Sequence, residues 1–94
     1  MVKDIEKKIE FFMSEAKRRN YMVTRTPWGI KIEQINGFMF MCVTLYDIDR
    51  CETYTKLKYL LNDIEFAFIH NMKSKLKKWN DEAIYLRKGY YNEK

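Results

Sequence analysis

Ninety-four residues, 47% hydrophobic and 16% aromatic, supply one small core and no room for a second, so a single α+β domain over 1–94 is expected. Three glycines, one proline and three alanines, against heavy use of Lys, Asn, Ile, Tyr, Phe and Met, exclude a disordered or low-complexity chain. The net charge of +5 favours polyanionic partners without selecting one.

That residue bias is what an AT-rich genome writes, which points to a low-GC bacterium or one of its phages or mobile elements. The first residues are charged and helical in pattern, so no signal peptide is expected. The longest apolar run, "FMFMCV", is strand-sized and far short of a membrane span. Cys42 and Cys51 show no CxxC spacing and have no partner histidines. Free thiols in a cytoplasmic protein are the expectation.

Val2, Ile5, Ile9, Phe12, Met13 and Ala16 recur at helical spacing, which predicts a first helix over Val2–Arg19. Its acids come early (Asp4, Glu6, Glu10) and its bases late (Lys17, Arg18, Arg19), as the helix dipole favours, and Asn20 is the expected stop. "YMVTRT" reads as a strand closed by the turn Thr26-Pro27-Trp28-Gly29, where proline presets the first central position. "IKIEQI" alternates apolar and charged residues, Asn36-Gly37 signals a hairpin, and "FMFMCVTLY" follows as a third strand. A two-residue loop at Asn36-Gly37 pairs Ile35 with Phe38, Ile32 with Met41 and Ile30 with Val43. Ile30, Ile32, Met39, Met41, Val43 and Leu45 then face the core. Lys31, Glu33, Phe38, Phe40, Cys42 and Thr44 share the other face, where the two phenylalanines need a cover.

"DRCE", Asp49 to Glu52, has the spacing of a capping box and predicts a long helix starting nearby. On a helical wheel Leu57, Leu60, Leu61, Ile64, Ala67, Phe68 and Met72 form one stripe, and the same wheel carries Lys75 above Leu57 and Lys78 above Leu60. The stripe therefore ends near Met72. Asn80 before Asp81-Glu82 suits the N-cap of a short last helix, Asp81 to Lys88, closed by Gly89; a single helix running straight through is the alternative. The expected fold is thus a three-stranded antiparallel β-meander packed against two α-helices, in the order α-β-β-β-α, with a short additional C-terminal helix. This order is similar to that of double-stranded RNA-binding domains, which read shape through a glycine-bearing loop and a lysine pair opening the second helix. Here "DRCETYTKLK" has no glycine and only Lys56 and Lys58, so no residue role carries over.

No constellation of residues names a reaction. His70, the only histidine, falls on the outer side of the long helix beside Asp63, Phe66 and Lys73, without the positioned partner a general base needs. Cys42 has no base in its own hairpin to make a thiolate. "DIDRCE" lacks the later ligands and the glycine of a calcium loop. The chain is therefore expected to be no enzyme and to hold no cofactor or metal.

Two surfaces remain. Tyr59, Phe66 and Ile69 on the long helix, Phe11 on the first helix, and Phe38 and Phe40 on the sheet are apolar residues off the core faces, and contiguous patches of that kind usually mark an interface. A host or phage protein is the expected partner, with a homodimer through Tyr59, Phe66 and Ile69 as a variant. Lys73, Lys75, Lys77 and Lys78 form a collar around what reads as a helix end, where the dipole also favours positive charge. With Lys17, Arg18 and Arg19 they make the alternative, a nucleic-acid-binding module. The favoured expectation is a small non-catalytic phage or mobile-element protein that docks on a host macromolecule as a regulator or inhibitor.

Overall fold

A computed structural model describes residues 3–92, with side chains as far as 85. Among them the order is α-β-β-β-α-α-α: α1 (Ile5–Arg18), β1 (Tyr21–Thr26), β2 (Gly29–Gln34), β3 (Phe40–Thr44), α2 (Leu45–Arg50), α3 (Tyr54–Ile69) and α4 (Lys73–Asn92). The α+β meander is as expected, but three helices follow the sheet, and the last of them is not short.

The carboxylate of Asp4 opens α1 by accepting from the Glu6 amide at 3.0 Å. Ile9, Phe12 and Ala16 are buried along its inner stripe. Asn20 stops the helix, with a left-handed φ of 68° and its N–H on the Lys17 carbonyl at 2.9 Å.

The strands form one antiparallel sheet in the order β1-β2-β3. Thr26 pairs with Gly29, so Pro27-Trp28 is a two-residue turn. Gly29 is required there, because its φ is +148° and a Cβ would run into the Val43 carbonyl on β3. Between β2 and β3 the register is the one expected, with Ile30 opposite Val43 and Ile32 opposite Met41. The loop is wider than a two-residue turn. The ladder ends at Glu33 and Phe40, the Gln34 N–H reaches the Met39 carbonyl at 3.2 Å, and neither Asn36 nor Gly37 takes the positive φ that a tight I′ turn needs. Ile35 and Phe38 thus belong to the loop, and Phe38 projects from it.

β3 ends at Thr44 because Thr44 caps α2. Its hydroxyl accepts from the Asp47 amide at 3.2 Å while the Asp47 carboxylate accepts from the Thr44 N–H at 2.9 Å. Leu45 and Tyr46 are therefore helical, and the box expected at Asp49 to Glu52 does not form. Asp49 lies inside α2, and Thr53 caps α3 by accepting from the Lys56 amide at 3.1 Å.

The long helix breaks after Ile69. Asn71 is left-handed at φ 55°, its N–H bonds the Phe68 carbonyl at 3.2 Å, and the Met72 N–H bonds the Ala67 carbonyl at 2.9 Å. These two bonds make a Schellman motif, which satisfies the carbonyls of a finishing helix. Asn80 consequently sits inside α4 and caps nothing, and Gly89 does not close it. The four lysines open α4 instead of ending a helix, so they stand at the positive pole of its dipole.

The core lies on one sheet face, where Ile30, Ile32, Met41 and Val43 meet Ile9 and Phe12 of α1, Ile48 of α2 and Leu57, Leu61 and Ile64 of α3. Met39 and Leu45 are only partly buried against it.

Candidate functional site

β3 is an edge strand, and its outward backbone groups need partners. α4 and α2 supply them through side chains. The Asn80 amide donates to the Phe40 carbonyl at 3.0 Å and accepts from the Cys42 N–H at 2.8 Å. The Trp79 indole donates to the Cys42 carbonyl at 2.9 Å, and Asp47 holds the Thr44 N–H. Asn80 thus bonds the groups on either side of Met41 as one residue of a parallel strand would, and it seals the edge against further pairing.

Seating α4 on this edge leaves a groove of about 400 Å³ along one of its flanks. Phe38, Met39, Phe40, Leu76 and Ile84 give it an apolar lining, and Lys73, Lys77 and Asp81 form its rim. Phe38 is fully exposed, at 102% of its reference area, and Ile84 is 54% exposed. Phe40 is part covered on the back of the sheet, where the Lys31 ammonium stands 5.0 Å from its ring centre. Two of the residues expected at a protein interface, Phe38 and Phe40, are thereby joined with two of the lysines assigned to nucleic acid, Lys73 and Lys77. Ile84 belongs to the same surface but was not singled out from the sequence, because a last helix starting at Asp81 gives no reason to place it beside the sheet.

The remaining interface candidates lie elsewhere. Tyr59, Phe66 and Ile69 are exposed on the outer side of α3, and none of them lines the groove. Polar Asn62 and Asp63 lie between Tyr59 and Phe66, and the Phe66 ring is tilted against His70 at 4.1 Å. Phe11 stacks on Tyr54 at 4.4 Å and packs against the core, so its own chain covers much of it.

At the end of α1, Arg18 and Arg19 are engaged within the molecule, whereas Lys17 is exposed and has no ion pair among the described residues. Glu15, itself buried, accepts from Arg18 at 2.5 Å and from Arg19 at 3.1 Å. The Arg18 guanidinium first, then that of Arg19, holds the Glu15 carboxyl down at about 2. Arg19 also reaches Asn62 at 2.7 Å and Glu65 at 3.4 Å, tying α1 to α3. Glu65 in turn accepts from the Tyr21 hydroxyl at 3.0 Å; burial, aided by that carboxylate, pushes the phenol up to about 12. Lys8 is buried, with its ammonium on the Asp49 carbonyl at 3.1 Å, where it faces the negative end of α2. On α4 the case differs. Lys77 pairs with Asp81 at 2.9 Å, while Lys73, Lys75 and Lys78 are exposed and have no ion pair among the described residues.

Cys42 is buried and Cys51 partly so; neither is in a disulfide among the described residues, and burial raises the Cys51 thiol above its ordinary value. Among the described residues no group of three His, Cys, Asp or Glu side chains is placed to hold a metal ion, and no helix is long and apolar enough to cross a membrane. Comparisons of the chain with protein-family models, curated proteins and solved structures give no match.

Proposed function

We propose that this chain is a small non-catalytic protein of a phage or mobile element that docks on a host protein as a regulator or inhibitor, with the groove between β3 and α4 as its contact surface. The observation that carries the reading is Phe38. A fully exposed phenylalanine contributes nothing to its own fold, and it stands at the mouth of an apolar groove that also exposes Ile84. Burying one such side chain in a partner is worth roughly 1.5–3 kcal/mol, the size of an interface anchor.

The test is a photo-cross-linking amino acid placed at position 38 in a chain expressed inside a low-GC bacterial host. The reading expects a discrete adduct that resists nuclease, yields to protease and disappears when Ile84→Glu is added. Adducts that only nuclease removes, or adducts indifferent to Ile84→Glu, would refute it.

The second reading, a nucleic-acid module, is favoured by Lys73, Lys75 and Lys78, which stand at the start of α4 with no ion pair among the described residues. Its support from α1 narrows to Lys17, since Arg18 and Arg19 already hold Glu15. Retention on heparin or duplex DNA that collapses between 50 and 200 mM salt, and is lost when the four lysines become glutamine, distinguishes it.

A further inference from the structure

We infer that the groove takes an amphipathic α-helix of a partner protein, about three turns long and carrying carboxylates at the end that meets Lys73 and Lys77. This rests on the protein-docking reading and adds the shape and charge of the occupant.

Addition of a strand to β3 is blocked by hydrogen bonding. Strand addition needs the free backbone groups of a sheet edge, and on β3 the Phe40 carbonyl, both Cys42 groups and the Thr44 N–H are already held by Asn80, Trp79 and Asp47. An occupant must therefore satisfy its own backbone and bring only side chains, which a helix does. The length follows from α4. Lys73, Lys77, Asn80 and Ile84 recur along one flank at helical spacing, and eleven residues at the helical rise span about 16 Å, or three turns. A helix laid beside that flank offers apolar side chains at i, i+3 or i+4, and i+7 to Phe38, Leu76 and Ile84.

The charge follows from the rim, where Lys73 and Lys77 outnumber Asp81, the partner of Lys77 at 2.9 Å. Lys73 has no carboxylate partner among the described residues and, with Lys75, stands in the first turn of α4, which has no acid of its own. Positive charge there opposes the dipole, so incoming carboxylates relieve two unfavourable terms at once. A second copy of this chain also carries a net +5, which disfavours it as the occupant.

The test is selection of a display library of random 16-residue peptides on the immobilised full chain. Enriched peptides are expected to carry apolar residues at helical spacing with Asp or Glu gathered in one terminal turn, and to gain helical circular dichroism on binding. Their synthetic forms should bind at least tenfold more weakly to Ile84→Glu, to Phe38→Ser and to Lys73→Glu. All three positions are exposed, so unchanged thermal melts will show that the variants fold. Peptides with strand-like alternation, helical peptides without acids, binding unmoved by these variants, or no enrichment would each overturn the inference. The docking reading stands or falls separately, on the cross-link at position 38.

Discussion

Asn80→Ala removes the two bonds by which α4 seals the sheet edge and puts nothing in their place. The Cys42 N–H it abandons is buried, and a buried donor left unpaired costs about 1–3 kcal/mol. The Phe40 carbonyl, part buried, adds roughly 1 kcal/mol as the loss of an ordinary bond. About 3 kcal/mol in all is a large part of the 5–15 kcal/mol by which domains are stable, and it should lower the melting temperature by roughly 12–24 °C. Urea unfolding followed by circular dichroism and tryptophan fluorescence gives the number. Asn80→Asp separates hydrogen bonding from packing. At neutral pH it sets a carboxylate oxygen against the Phe40 carbonyl, which costs at least as much as the alanine. Protonated, it can donate to that carbonyl as the amide does, so its folded-state pKa is raised. The variant should therefore approach wild type below the unfolded carboxyl value of about 4 and fall behind as pH rises. An alanine variant within about 0.5 kcal/mol of wild type, or an aspartate variant whose deficit ignores pH, would refute the edge-sealing role of Asn80.

Gly29→Ala should destabilise by about 2 kcal/mol or more, since it forces a side chain into a left-handed backbone and against the Val43 carbonyl; a loss under about 0.5 kcal/mol in urea would contradict the close approach of β2 to β3. Asn71→Gly should stabilise by up to about 1 kcal/mol, because glycine takes the left-handed C′ position freely, whereas in one continuous helix the same change would cost about 1 kcal/mol, so the sign alone decides. Glu15 titrates at about 2 in the fold against an ordinary 4.5, so its contribution is fully present above pH 4.5 and is lost as pH falls towards 2. In Glu15→Gln the fall in stability between pH 4.5 and 2 should be visibly shallower than in wild type, and an identical acid limb would contradict the Arg18–Glu15–Arg19 cluster.

The first half of the chain was readable because its signals are local. The helical spacing of Ile9, Phe12 and Ala16, the stop at Asn20, the Pro27-Trp28 turn and the parity of Ile30 and Ile32 each depend on neighbours in sequence. Even the wider loop at 35–38 left the register intact, because it adds one residue to each side. The second half was misread where equal local signals competed. Thr44-x-x-Asp47 won over Asp49-x-x-Glu52 because Thr44 also closes the ladder at Gly29. Asn71 carries the same αL preference as Asn20, and the end of the apolar stripe at Met72 marked the place, yet the helix-favouring run Lys73 to Trp79 that follows it, where a strand follows Asn20, kept it from reading as a stop. The groove was half legible. Phe38 and Phe40 stood out as apolar residues in need of a cover, but their meeting with Leu76 and Ile84 depends on Asn80 finding β3, a contact across 38 residues that no periodicity encodes. The burial of Lys8 was illegible for the same reason, since its partner is the Asp49 carbonyl, 41 residues away.

The most direct measurement is of the groove in the whole chain, free in solution. With isoleucine methyl groups labelled for NMR, a soluble nitroxide broadens those that water can reach. Ile84 should broaden alongside the exposed Ile35 and Ile69, while Ile30 and Ile32 stay sharp. An Ile84 methyl as sharp as that of Ile30 would mean that the groove is already filled, by the rest of the chain or by another copy, and that no surface there waits for a partner.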